Sequence, residues 1–306
     1  MSAPDDADGR LGTGAWILVP IDGSDGAERA MAHALALASA TGARLHVLHV
    51  LDARGPLGGL GSRLDPEVAR DRGETLLRTA EGLADDADVP VTTELAEGPA
   101  HDAILARAAD RACALTVMGR RAAPGTTARL LGGVTDKVLR STDRAVLVVP
   151  PADTIDPETI TFDRLLLPTD GSEHSLAAAG PAAELASALG AAVHVVTAVA
   201  VDGPSDLLDD EAARASLVAD LEERAHSATA EAAERVAPDG SLPIATAVVR
   251  GHPHQALSTY VADEGIDLVV MGSRGRSGVS RRVLGSVTDR VLRSVDVPVL
   301  VVPGVD

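Results

Sequence analysis

An internal repeat constrains this chain more than any other feature. VMGRRAAPGTTARLLGGVTDKVLRSTDRAVLVVP, from Val117, recurs as VMGSRGRSGVSRRVLGSVTDRVLRSVDVPVLVVP, from Val270. ILVPIDGSDGAERAMAHALALASATGA, from Ile17, recurs as LLLPTDGSEHSLAAAGPAAELASALGA, from Leu165. The offset is 148 residues between Asp22 and Asp170 and 153 between Met118 and Met271, so the second copy carries five more residues in its middle. A period this long marks a duplicated domain rather than a solenoid unit. The repeat divides the chain into a tail (1–14), a first domain (15–150), a linker (151–163) rich in Pro, Thr and acid, and a second domain (164–306). The tail, MSAPDDADGRLGTG, is acidic and glycine-bearing. It reads as disordered rather than as a signal peptide.

Within each copy, short apolar runs alternate with helical patterns. In the second copy strands are expected at 164–168, 192–199, 242–249, 266–270 and 297–302. Helices are expected from Asp170-Gly171-Ser172 to about Leu189, then at 209–236, 253–263 and 287–293. Strand–helix alternation with continuous apolar strands argues for a parallel sheet covered on both faces. Right-handed crossovers leave few topologies. Aromatic residues are only 1% of the chain, namely Trp16, Phe162 and Tyr260. The cores are therefore built from Val, Leu, Ile and Ala, and the stacking platforms of single-strand nucleic-acid binders are missing.

The net charge of −18 repels phosphate backbones and anionic membrane surfaces. No nucleic-acid or membrane partner is expected. Cys113 is the only cysteine, so no intramolecular disulfide forms. It sits in an apolar run and reads as a small core residue. The cytoplasm is the expected compartment.

The stretch richest in chemistry is MGSRGRSGVSRRVLGSVTD, from Met271. A glycine-bearing loop leaves a buried strand and enters the first turn of a helix. Gly272 and Gly275 allow close backbone approach. Ser286 stands where an N-cap is expected, with Asp289 three residues on. A helix N-terminus offers unpaired N–H groups and the positive end of its dipole to a phosphate. Arg274, Arg276, Arg281 and Arg282 line the same loop. In open parallel sheets, ligands sit beyond the carboxyl ends of the strands where strand order reverses. If the first and fourth strands are neighbours, Asp170 and Gly272 flank one crevice.

The second copy matches G-x2-G-x9-G-[ST] as Gly272, Gly275, Gly285 and Ser286. With Pro168 and Asp170 in a P-x-D opening and a closing VLVVP, it resembles the universal stress protein family, and the resemblance covers both copies. It implies two tandem Rossmann-like domains of the adenine nucleotide α-hydrolase-like kind. Each would be a five-stranded parallel sheet of order 3-2-1-4-5. It implies that the ATP-binding branch holds ribose and phosphates with these glycines and the Ser286 hydroxyl. Asp170 would then meet the nucleoside and the Ala198 backbone the adenine. Met271, Arg274, Val287 and Thr288 would complete the wall.

The first copy departs from that pattern. Gly119 and Gly132 match, but Ala122 replaces the second glycine, Gly133 replaces the hydroxyl residue, and Pro124 stiffens the loop. Asp22 and Val50 keep a nucleoside end. The expectation is asymmetry, with ATP bound chiefly by the second copy. Asp22 or Asp170 can hold Mg²⁺ alongside phosphate oxygens, or can belong to an Asp-Gly-Ser turn that caps the next helix. His252 and His254 flank Pro253, with His101 at the place of His254. Without a Cys or carboxylate partner they fall short of a metal site, and the resemblance puts this turn near the crevice mouth. Ser24 and Ser172 sit in no nucleophile elbow. The last strands are apolar for edges, so the two copies are expected to pair through them, and a homodimer through another face stays open. Two other readings remain: a nucleotide-free interaction module, and a slow ATP-hydrolysing enzyme of the same broad group.

Overall fold

The structure is a computed structural model that describes residues 11–52, 65–122, 129–151, 160–200, 211–275 and 284–304. Most of the tail and linker, Pro124, and the loop residues Arg276, Arg281 and Arg282 lie outside the described residues. The chain divides into two compact units, Met1–Ile160 and Thr161–Asp306.

The first unit runs β1 (Trp16–Ile21), α1 (Asp25–Thr41), β2 (Arg44–Leu51), α2 (Pro66–Asp86), β3 (Val91–Glu97), α3 (Ala100–Asp110) and β4 (Leu115–Gly119). A ribbon, β5 (Arg121–Ala122) and β6 (Arg129–Leu130), precedes α4 (Gly133–Ser141) and β7 (Ala145–Val149). The second unit runs β8 (Arg164–Pro168), α5 (Glu173–Leu176), α6 (Ala179–Leu189), β9 (Ala192–Val199), α7 (Glu211–Val236) and β10 (Ile244–Arg250). It continues through α8 (Pro253–Asp263), β11 (Leu268–Gly272), α9 (Ser286–Ser294) and β12 (Val299–Val302). The main strands stand in the order β3-β2-β1-β4-β7 in one unit and β10-β9-β8-β11-β12 in the other. Every main-sheet pairing within a unit is parallel. Each unit is therefore a parallel sheet of order 3-2-1-4-5. Right-handed crossovers that reverse direction after the third strand put helices on both faces. On one face of the second unit α6 packs beside α7, and on the other α8 packs beside α9.

The central strands explain the apolar runs. Ile17, Leu18 and Val19 of β1 and Leu165, Leu166 and Leu167 of β8 are fully buried. Each such side chain contributes about 1.5–3 kcal/mol of burial. Ser24 caps α1 by accepting the Ala27 N–H, and Gly42 ends it in the left-handed region with φ 71°. The second copy breaks the corresponding helix into α5 and α6. Pro181 has no N–H for the Ala177 carbonyl and its ring crowds that group, so the chain turns at Ala177–Ala178. The first copy has His33 at this position and its helix is continuous. The β5–β6 ribbon of the first unit is a second departure from the expected alternation.

The fourth strand of each unit ends in a glycine that the packing demands. A β-carbon on Gly272 would lie 2.3 Å from the His174 carbonyl oxygen, and one on Gly119 would lie 2.1 Å from the Gly26 carbonyl oxygen. The backbone of the first helix thus rests directly on the strand end. No helix among the described residues is long and apolar enough to cross a membrane.

A histidine recurs at one position of the sheet, buried in the first unit and half-buried in the second. His46 of β2 is completely buried, with Nδ1 3.0 Å from Thr92 Oγ1 and Nε2 3.3 Å from Glu94. His194 of β9, its counterpart, has Nδ1 3.0 Å from the Tyr260 hydroxyl. Burial lowers the pKa of both, and Arg111 adds to the effect at His46 while Glu94 opposes it. Burial also lowers that of His33.

Two predictions follow from this packing. Gly272→Ala and Gly119→Ala each force a β-carbon into a carbonyl that cannot swing away, and are expected to cost at least about 1–3 kcal/mol in urea unfolding. Losses below about 0.5 kcal/mol would contradict the close approach. The folded state favours neutral histidine, whereas the unfolded chain protonates near the ordinary value of about 6.5. Unfolding therefore takes up protons as pH falls, and the melting temperature should hold at pH 7–8 and drop between about pH 6.5 and 5. His46→Gln with His194→Gln should flatten that slope; a melting temperature that rises on acidification would refute it.

Candidate functional site

In the second unit the site is built from the loops beyond β8 and β11. Gly171 has φ 75°, which only glycine adopts cheaply, and it turns the chain out of β8. The Ser172 N–H and hydroxyl both donate to Asp170 Oδ1, at 3.0 and 2.6 Å. Ser172 Oγ in turn accepts the Ser175 N–H at 3.2 Å and caps α5. Beneath them Thr169 and Ser175, both buried, share a hydroxyl hydrogen bond at 3.1 Å. Thr169 Oγ1 also accepts the Gly171 N–H at 3.1 Å. With its backbone and Oδ1 fixed this way, half-buried Asp170 directs Oδ2 at the glycine loop. That oxygen lies 2.5 Å from where a β-carbon on Gly275 would be. Gly275 has no positive φ; proximity to Asp170, not backbone freedom, calls for glycine.

The glycine loop is tied at its neck. The Ser273 N–H donates to Val302 O at 2.7 Å, and the Gly285 N–H donates to Ser273 O at 2.8 Å. A β-carbon on Gly285 would stand 3.2 Å from Arg274 Cα. Gly285, with φ −61° and ψ 145°, is the N-cap of α9, and no side chain caps this helix. The expectation that Ser286 is the N-cap is thereby corrected. Ser286 is the first helical residue and is exposed, so its hydroxyl is not spent on capping. Its N–H and those of Val287 and Thr288 belong to the first turn, where the helix supplies no acceptor.

The structure brings Asp170, Gly275, Gly285, Ser286 and Val287 to the carboxyl end of the sheet, and it gives other expected residues structural duties. Thr288 is buried and its hydroxyl donates to Gly272 O at 3.0 Å. Met271 is buried in the core. Gly272 serves helix packing. Arg274 is half-buried. Pro168 closes β8 opposite Val196, and Ala198 lies two residues beyond that last pair, still in register with β10. Thr169 and Ser175 were not singled out from sequence; their hydroxyls at the ends of otherwise apolar segments were the available signal.

The first unit keeps the outline and loses the detail. Ser24 donates its N–H to exposed Asp22 Oδ1 at 3.0 Å, and its hydroxyl donates there too. Ile21 and Ala27 replace the buried hydroxyl pair. Val50 is half-buried at the end of β2. Gly132 is the N-cap of α4 without a side-chain bond, and Gly133 has only open space where a side chain would be. Thr135 repeats the bond to the strand end, donating to Gly119 O at 3.3 Å. Arg120, buried, replaces Ser273, and Ala122 is held in the ribbon. Cys113 is buried, and burial pushes its thiol up to about 11, as expected of a core residue. Among the described residues no three His, Cys, Asp or Glu side chains come together as a metal site.

Both copies match the Universal stress protein family model, over residues 16–150 and 161–303. Universal stress protein Slr1230 of Synechocystis is 26% identical over 317 residues, spanning 93% of this chain and 98% of that protein. Universal stress protein MJ0531 of Methanocaldococcus jannaschii is 31% identical over 141 residues, 46% of this chain and 82% of that protein. A solved universal stress protein from Archaeoglobus fulgidus superposes with a TM-score of 0.72 at 19% identity, covering 95% of this chain and 98% of its own; that likeness concerns the fold. With two family matches laid end to end over both units, this chain belongs to the universal stress protein family in its tandem form.

Proposed function

We propose that the chain binds ATP, mainly in its second unit, and that binding selects one conformation or partner state in a stress response. The observation that carries this reading is the approach of Asp170 Oδ2 to the Cβ position of Gly275. A side chain at 275 would push that carboxylate away from the loop. Glycine lets the carboxylate and the loop backbone stand together, at the place where parallel sheets receive ligands. Asp170 suits nucleoside hydroxyls. The first turn of α9 and the uncommitted Ser286 hydroxyl suit phosphate.

Mg²⁺ entering with ATP would take Asp170 as its protein ligand and phosphate oxygens for the rest. On this reading the protein acts as a binder, and any ATP hydrolysis is slow: among the described residues no activated nucleophile or placed base stands at the site. A ligand shifts a conformational equilibrium only by its differential affinity, which makes the tightness of binding in each state the functional quantity. The first unit binds weakly or not at all, since it lacks the hydroxyl at Gly133 and carries Ala122 in place of the second glycine. The apolar last strands support pairing of the two copies through those edges. The composition supports a cytoplasmic protein.

Calorimetric titration of the intact chain with Mg-ATP tests the reading. Gly275→Val and Ser286→Val should each weaken binding by at least about tenfold, which is 1.4 kcal/mol, with cooperative unfolding retained in both and the melting temperature of Ser286→Val unchanged. Affinity indifferent to both substitutions would remove the proposal.

A further inference from the structure

Helices α8 and α9 both return from the carboxyl to the amino end of the sheet, so they run side by side in the same direction. They touch where Ser258 Oγ meets Ser294 Oγ at 2.8 Å. One turn earlier on each helix stand His254 and Arg290. His254 titrates below the ordinary histidine range because it is partly stripped of water and because Arg290 and His252 stand beside it. One turn earlier again on α9 is Ser286. Ser286, Arg290 and Ser294 are spaced by four and share a face, which is the face turned to α8. The N-terminus of α8 has His252 as its N-cap and no acidic residue in its first turn.

The first unit keeps basic residues at this corner, His101 for His254 and Lys137 for Arg290, but sets two carboxylates beside them. There Asp52, just past β2, accepts the Ala100 N–H at 3.1 Å, and His101 pairs with Asp102 at 3.2 Å. In the second copy Ala200 replaces Asp52, Pro253 replaces Ala100 and Gln255 replaces Asp102, while His252 replaces Pro99. Donor and acceptor of the Asp52 bond disappear together, so neither is left unsatisfied. Two carboxylates are gone and a histidine has been gained.

We infer that Arg290 supplies the positive charge, and His252 and His254 the ring N–H donors, of a rim that meets the distal phosphates of a nucleotide seated at Ser286. The rim makes the site selective for a nucleoside polyphosphate over the monophosphate. The inference rests on the nucleotide site proposed above and adds its specificity. The rim groups are solvated and screened, so each contributes a few-fold.

The test is calorimetry of the intact chain with ATP and AMP, comparing wild type, Arg290→Lys and the double variant His254→Gln/Arg290→Gln. Wild type should prefer ATP by at least about tenfold, and the double variant by less than about threefold, through weaker ATP binding at constant AMP affinity. Arg290→Lys keeps the charge and should keep the preference, and matching melting temperatures exclude misfolding. An unchanged ratio in the double variant overturns the rim, while loss of ATP binding in Gly275→Val leaves the site itself standing. A wild-type chain that binds neither nucleotide overturns both.

Discussion

The contact on which the rest depends is backbone against backbone. The first helix of each unit sets a carbonyl oxygen on the last residue of the fourth strand, so closely that only glycine fits there. That contact ties the loop beyond the first strand to the loop beyond the fourth. In the second unit it brings Asp170 over Gly275, and the neck bond from Gly285 to Ser273 holds the start of α9 alongside. The meeting of these loops therefore follows from how tightly helix and strand pack at one end of the sheet. Its chemistry is a short list: a carboxylate, a hydroxyl and a set of first-turn amides.

Much of this was legible in the sequence because the relevant interactions are periodic or local. The duplicated motifs, the aliphatic strands and the Asp-Gly-Ser turns announce parallel sheets and the end at which loops converge. The glycine spacing locates the loop. It does not say why each glycine is there: Gly272 answers to a helix nearly a hundred residues earlier in the chain, Gly275 to Asp170, and Gly285 to its own neck. Ser286 looked like a cap because serine favours that place, whereas the neck bond moves the cap to Gly285. Thr288 looked like a ligand and is held by a strand-end carbonyl. The rim at His254 and Arg290 arises only when two helices lie side by side, and no local pattern records that.

The two copies show how a duplicated frame diverges. The strand ends, the Thr135 and Thr288 bonds and the strand-end glycines are shared, and they belong to the fold. The buried Thr169–Ser175 pair, the Ser286 hydroxyl and His252 belong to the second copy alone. The first copy has aliphatic, glycine or proline residues at those places, and it adds Asp52 and Asp102 beside the shared basic pair at the corner. Such a pattern keeps the shared frame in both units while the chemistry proposed for the nucleotide site stands in one.

The most direct measurement is the stoichiometry of ATP on the intact chain, by equilibrium dialysis at concentrations well above the dissociation constant. The account predicts one molecule bound per chain. No bound ATP would contradict the site, and two molecules bound with similar affinity would contradict the division of labour between the copies.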